Sequence, residues 1–344
     1  MRVLLVLGLV GCASYNTMWN AEQRAKDARR LEQAGQLSEA RAQWAQAATK
    51  AAKVHGEKAL VLRVEALARS GACQEIAEPL TAARASVTTR AMRDRADLAD
   101  AECAVVTGDA ARADAALVEP LRSGDADRRA RAEYVAGRAA MLRQDYDAAV
   151  LHFSRAREPD AAGHAFIAEQ RARIARATKL DDLTPIATEL SPPLRVTSGT
   201  DEAAHLIDLI TAVHTTPANP SVEARLHRAE LARDSLQAPL LAGHLFLDAA
   251  ASDTGSLFAP KALIAALPLL PEQHDSIVGL LDTRYAASPY VRALHGEMSF
   301  AYAAAEDSLA REQGMHVLTE RPAPGGARLD RPSPVTGPRG PKLP

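Results

Sequence analysis

Residues 137–156 read GRAAMLRQDYDAAVLHFSRA, and the order of small, turn and large residues in this stretch decides the fold. Gly137 and Ala149 are small enough to stand where two helices cross closely, and the bulky Phe153 follows four residues after Ala149. Gln144 lies between them, at the place of a tight turn. Because residues three or four apart share one face of a helix, the pattern predicts a pair of short amphipathic helices.

The same order recurs three times further upstream. The turn positions, separated by 36, 37 and 36 residues, are Gly35, Gly71, Gly108 and Gln144. The bulky residues that follow each turn position are Trp44, Leu80, Leu117 and Phe153. A unit of this size cannot bury its apolar face alone, so neighbouring units are expected to stack.

Small, turn, small, large, small, in that order, resembles the tetratricopeptide repeat, a 34-residue unit of two antiparallel helices. The resemblance implies an all-α fold, in which a right-handed superhelical stack of helical hairpins, an α-solenoid, occupies residues 21–190. Steps of 36 and 37 residues exceed the family's unit, so longer turns between the hairpins are expected. A fifth hairpin is predicted to run from Ala161 to Leu190, before Pro192 and Pro193.

The composition agrees with a helical protein. Hydrophobic residues make up 47% of the 344 residues but aromatic residues only 4%, and Ala supplies much of the apolar fraction. Ala and unbranched side chains favour helices, whereas strands favour aromatic and β-branched residues. The formal net charge is -2, and the sequence has no basic stripe. Both observations argue against a nucleic-acid partner.

The N-terminus predicts export. One Arg and an apolar run, too short to span a bilayer, precede Cys12. Residues 9–12, Leu-Val-Gly-Cys, resemble the lipobox of bacterial lipoproteins, which implies a signal peptide over 1–11 and lipid on Cys12. Residues 12–20 are then expected to form a lipidated N-terminus and short linker. Ala13, where Asp would favour the inner membrane, implies the periplasmic face of the outer membrane; the alternative is an uncleaved apolar N-terminus.

A second region of helical hairpins, similar to tetratricopeptide repeats, is expected over residues 200–318, and a disordered tail rich in Pro, Gly and Arg over 319–344. Residues 256–262 and 285–291 look like the Ser-Pro junctions of periplasmic tetratricopeptide lipoproteins of envelope assembly. There Ser caps a helix and Pro occupies its first turn. The tail either reaches peptidoglycan or an acidic partner, or is a solvated terminus without a role.

No set of residues predicts catalysis. Asp253-Thr254-Gly255-Ser256 matches an aspartic-protease tripeptide, but it has no second copy and is interpreted as a helix cap and turn. His205 and His214 share one predicted helix without the spacing of a metal site. We therefore predict a protein that is not an enzyme and that has no cofactor or metal site.

The predicted binding surface follows from the repeat. If the tetratricopeptide register holds, the first helix of each hairpin lines a concave groove. Its ninth positions are Arg29, Glu65, Glu102 and Arg138. Arg131, Tyr134 and Arg138 share one face of the best-formed repeat and are the first candidates for partner contacts. The alternative is an ordinary charged helix face.

Cys73 and Cys103 lie where neighbouring units touch, and the sequence leaves open a disulfide or two buried thiols. Taken together, the lipobox and the repeat predict a scaffold lipoprotein that holds an envelope protein in its groove. The alternative function is a glycan-binding or secretion-system accessory lipoprotein that regulates an envelope enzyme.

Overall fold

The computed structural model describes residues 2–157, 163–192, 197–215, 220–297 and 299–312, with the backbone alone for residues 2–15, 197, 198 and 309. These ranges contain seventeen α-helices and no strand, so the predicted all-α class is confirmed. The first ten are α1 (Arg2–Gln33), α2 (Leu37–Ala51), α3 (Glu57–Ser70), α4 (Ala77–Ser86), α5 (Arg90–Val106), α6 (Ala110–Leu117), α7 (Ala126–Leu142), α8 (Tyr146–Ala156), α9 (His164–Arg176) and α10 (Leu183–Leu190). The others are α11 (Thr197–His214), α12 (Val222–Glu230), α13 (Pro239–Ser252), α14 (Ala259–Ala266), α15 (His274–Arg284), α16 (Pro289–Leu294) and α17 (Phe300–Glu312).

The helices of the first half form hairpins that turn at the predicted positions. Gly35, Gly71 and Gly108 have φ angles of 74°, 87° and 80°, and Gln144 has a φ of 60°. Such positive values are the left-handed region, which glycine adopts without a steric penalty. Each first helix therefore ends where the sequence places its turn residue. In the fourth turn this residue is Gln144, whose side chain makes the left-handed backbone less favourable than it is for glycine.

Replacing Gln144 with Gly is expected to raise the free energy of unfolding by about 1 kcal/mol, because a left-handed backbone costs side chains with a Cβ roughly that much. Gln144 is exposed, so few contacts are lost. Urea unfolding would measure the change. Gln36→Gly is the matched control, since Gln36 has a φ of -86° and gains nothing from glycine. Equal stabilisation by both changes would contradict the explanation.

Four small apolar cores lie between successive hairpins, each containing one of the bulky repeat residues. Trp44 packs with residues of α1, α2 and α3, and Leu80 packs with residues of α3, α4 and α5. Leu117 joins α5, α6 and α7, while Phe153 joins α7, α8 and α9. Each hairpin thus completes its core with the first helix of the next one, as stacked repeats do.

The close crossing of α7 and α8 explains the small residue at Gly137. A Cβ atom at this position would lie 2.6 Å from the Phe153 ring, which is closer than side-chain atoms approach one another. The bulky residue of the fourth repeat therefore fills the space that the missing side chain leaves. This contact is the structural basis of the small-then-large order in residues 137–156.

The second half has one larger core, which runs from α9 to α17. The helix that begins at Val222 breaks before Pro239, where α13 starts after a π turn over Leu231–Ser235. Ser288 caps α16 through a bond that its Oγ accepts from the Tyr290 backbone N–H, and Pro289 occupies the first turn. Residues 313–318 and the predicted tail over 319–344 lie outside the described residues.

Residues 12–20, which the sequence predicts as a lipidated N-terminus and short linker, continue α1 without a break. No Gly or Pro occurs between Cys12 and Gln33 to interrupt the hydrogen-bond ladder. The fifth hairpin is present as α9 and α10, and residues 158–162 before it lie outside the described residues.

Candidate partner-binding groove

A groove of about 1350 Å³ runs across the first helices of the hairpins. Residues of α1, α3, α5 and α7 line it, together with the start of α2, the end of α8 and the start of α9. All six side chains that the sequence predicts as partner contacts line this groove: Arg29, Glu65, Glu102, Arg131, Tyr134 and Arg138. The lining includes nine Lys and Arg side chains and six Asp and Glu side chains. The groove is therefore more positive than the chain as a whole.

The charged lining forms two rows at equivalent repeat positions. The upstream row contains Glu22, Lys58, Arg95 and Arg131, at steps of 36, 37 and 36 residues. The downstream row lies seven residues later and contains Arg29, Glu65, Glu102 and Arg138. Seven residues are close to two helical turns, so both rows point from one face of their helices.

Ion pairs connect the rows between neighbouring helices. The Arg29 guanidinium lies 2.9 Å from Glu65 Oε1, within the downstream row. The other pairs are diagonal: Arg95 on α5 bonds to Glu65 on α3, and Arg131 Nε on α7 lies 2.7 Å from Glu102 Oε1 on α5. Each diagonal pair joins an upstream-row cation to the downstream-row carboxylate of the preceding helix. The pairs therefore link α1, α3, α5 and α7 across the floor of the groove.

Glu65 carries the most strongly shifted carboxyl in this network. Burial raises its pKa, but the charges of Arg95, Arg69 and Arg29 more than offset that cost and lower the pKa from 4.5 to about 2. For the Arg131 guanidinium the directions are opposite. Burial lowers its pKa, and the nearby Glu102 carboxylate more than offsets this effect, so the pKa is raised. Glu65 and Arg131 consequently stay ionised at neutral pH.

Trp44 supports the network from below. Its side chain is fully buried, and its indole Nε1–H donates to Glu32 Oε1 at 2.9 Å. The guanidinium of Arg69 lies 4.7 Å from the ring centroid and 3.2 Å from Glu32, a geometry that suits a cation–π contact. The core residue of the first repeat therefore positions a charged group at the groove.

Tyr134 and Arg138 occupy the α7 side of the groove. The Tyr134 ring packs 5.6 Å from the Phe153 ring, which ties it to the fourth core. Arg138 is half-buried and has no ion-pair partner among the residues that the structure describes. It is therefore available to a ligand, unlike Arg131, Arg29, Glu65 and Glu102.

Sequence reasoning missed Arg69, Arg95 and Glu32. Arg95 stands 36 residues before Arg131, so applying the repeat step to Arg131 would have found it. Arg69 and Glu32 have no such signal, because their roles depend on the orientation of the Trp44 ring between two hairpins.

Cys73 and Cys103 form a disulfide, with their Cα atoms 5.3 Å apart. Cys73 lies in a 3₁₀ turn between α3 and α4, and Cys103 lies on α5 in the second core. The bond therefore joins two successive hairpins just behind the groove.

No match was found in comparisons with protein-family models, curated proteins or solved structures.

The other sequence candidates lie apart from the groove. Asp253 accepts a bond from the Gly255 backbone N–H in the turn between α13 and α14, as the cap interpretation predicts. His205 and His214 are both on α11, and His214 Nδ1 lies 2.9 Å from the Ile210 carbonyl oxygen. In the described ranges, three or more His, Cys, Asp or Glu side chains nowhere gather into a potential metal site. No helix found there combines the length and apolar character that a membrane span needs.

Proposed function

We propose that this chain is an exported lipoprotein, anchored through Cys12, that holds a protein partner in the groove of a tetratricopeptide-like stack. One observation carries the proposal: four successive first helices present equivalent charged positions to a single groove. A concave surface with rows at a fixed repeat suits an extended segment of another protein. In this proposal the hairpins of residues 21–190 wind as a right-handed superhelix, and the partner belongs to the cell envelope.

The disulfide supports the proposed export to the periplasm. Disulfides persist in oxidising compartments such as the bacterial periplasm and are rare in the cytosol. The bond between Cys73 and Cys103 therefore fits export, as does the lipobox-like stretch before Cys12. With Ala13 after the lipidated residue, we place the protein on the periplasmic face of the outer membrane.

Cys12→Ser is expected to release the protein from the membrane fraction, because two or more acyl chains on Cys12 are its proposed anchor. Fractionation of cells and the mass of the mature chain would measure this. Ala13→Asp is the matched control, and it should leave the protein membrane-bound but move it to the inner membrane. A Cys12→Ser variant that stays in the outer-membrane fraction would contradict the anchor.

The class of partner can be tested by photo-crosslinking in intact cells. Val106 lines the groove and is 55% exposed, so a benzophenone amino acid at this position would touch a bound partner. The proposal predicts a heavier adduct whose tryptic peptides include those of a second protein. An adduct that muramidase digestion returns to the mass of the single chain would contradict it and favour glycan binding.

A further inference from the structure

The diagonal pairing in the groove leaves one cation without a carboxylate at each end. Arg95 pairs with Glu65 on the preceding first helix, and Arg131 pairs with Glu102 in the same way. By the same rule Lys58 on α3 faces Arg29 on α1, which is itself a cation. The rule is therefore broken where the rows begin.

The rows also end on an unmatched cation. The position that would pair with Arg138 lies 36 residues after Arg131, and it is Ile167 on α9, an apolar residue of the second-half core. Neither Lys58 nor Arg138 has an ion-pair partner in the described part of the chain. The carboxylates in the middle of the two rows are therefore paired with Arg side chains, whereas a cation without a carboxylate partner lies at each end.

The remaining unpaired charges of the lining nearly balance. Lys26 and Arg41 are exposed cations, and Glu22 and Asp127 are exposed anions, and none of the four has an ion-pair partner among the described residues. With Lys58 and Arg138 included, the unpaired lining carries four cations and two anions, so a ligand would meet an excess of two positive charges. Since the pKa of Glu65 is lowered to about 2, this carboxylate is charged at neutral pH and keeps its guanidinium partners paired.

The distance between the two cations sets the spacing of matching anions. Lys58 lies on α3 and Arg138 on α7, with α5 packed between them. Packed helices have axes 8–10 Å apart, so α3 and α7 are separated by about 16–20 Å. The seven-residue offset between the two rows adds about 10 Å along the helix axis, which puts the two cations roughly 20 Å apart. An extended chain advances roughly 3.3 Å per residue, so about six residues span that distance.

We infer that the groove takes an extended acidic segment of the partner, with one carboxylate at Lys58 and a second, about six residues along the chain, at Arg138. This inference rests on the proposed function and adds the chemistry of the bound segment. The charge-assisted bonds compete with few internal pairs, because both cations are free before binding.

A labelled peptide tests the inference on the purified full chain in detergent. The probe is a fluorescein-labelled twelve-residue Ser/Ala/Leu peptide with two Glu residues six positions apart. Two control peptides carry two Gln residues or two Lys residues at the same positions. Fluorescence anisotropy at low salt should show the Glu peptide binding at least tenfold more tightly than the Gln peptide, and the Lys peptide weakest.

Variants of the two cations assign the effect to the groove. Lys58→Glu and Arg138→Glu should each weaken binding of the Glu peptide about tenfold or more. Lys53→Glu and Arg93→Glu are matched controls, because these exposed cations do not line the groove, and they should change binding less than twofold.

Three results would overturn the inference: no binding of the Glu peptide, equal binding of the Glu and Gln peptides, or equal losses in the cation variants and their controls. If Val106 still gives a protein adduct in cells under any of these results, the proposed function stands and only the acidic chemistry fails. If Val106 gives no protein adduct, the proposed function itself fails.

Discussion

Trp44→Ala is expected to lower the free energy of unfolding by about 4 kcal/mol, because removing a fully buried large aromatic side chain costs 3–5 kcal/mol. The cost has two sources. The ring fills the core shared by α1, α2 and α3, and its indole N–H donates to Glu32. Without the ring, Arg69 also loses the aromatic face beneath its guanidinium. Urea unfolding followed by far-ultraviolet circular dichroism would measure the loss.

The other tryptophan of the chain supplies the control. Trp19 is 49% exposed, so Trp19→Ala should change stability by less than about 1 kcal/mol. If Trp44→Ala does not fold, Trp44→Phe keeps a ring in the core and removes the N–H donor, which should cost about 1–2 kcal/mol. A Trp44→Ala variant as stable as Trp19→Ala would contradict the role of Trp44 in the first core.

Glu65→Gln is expected to destabilise the protein by about 3 kcal/mol at pH 7. The shift in the pKa of Glu65 from 4.5 to about 2 corresponds to that free energy, since one pKa unit is worth about 1.4 kcal/mol. The side chain is only 15% exposed, so solvent screens the interaction weakly. Removing its charge leaves Arg29, Arg69 and Arg95 close together without their shared anion. Glu78→Gln is the matched control, because Glu78 is 83% exposed and its ion pair with Arg63 should be worth at most about 1 kcal/mol.

The effect of Glu65 should also depend on pH in a defined direction. A carboxyl whose folded-state pKa is depressed stabilises the protein fully above its unfolded pKa of 4.5, and the contribution disappears as the pH falls towards about 2. The difference in unfolding free energy between the wild type and Glu65→Gln should therefore shrink across this window. A difference that stays constant from pH 7 to pH 2 would contradict the charge network.

The helices and turns of the first half were largely predictable, because local patterns determine them. Gly35, Gly71 and Gly108 need a left-handed backbone, and Trp44 and Phe153 stand at a fixed offset from the turns. Periodicity therefore located both the hairpins and the large residue at the centre of each small core.

The six predicted contact residues do line one groove, but their pairing could not be predicted. Whether Glu65 meets Arg29, Arg95 or solvent depends on how far one hairpin rotates on the next, and the repeat spacing does not specify that rotation. The sequence also left Cys73 and Cys103 either paired or free, since their bond depends on the same packing. The continuation of α1 through residues 12–20 was missed because a lipobox was expected to precede a linker.

The most direct test of the central claim, that the partner binds in this groove, is a comparison of photo-crosslinking yields in intact cells. Val106 and Val118 are similarly exposed, at 55% and 48%, but of these two only Val106 lines the groove. Leu37, at the start of α2, also lines the groove. We expect the same protein adduct from a benzophenone amino acid at Val106 and at Leu37, and little or none at Val118. Equal yields from Val106 and Val118, or an adduct from Val118 alone, would contradict it.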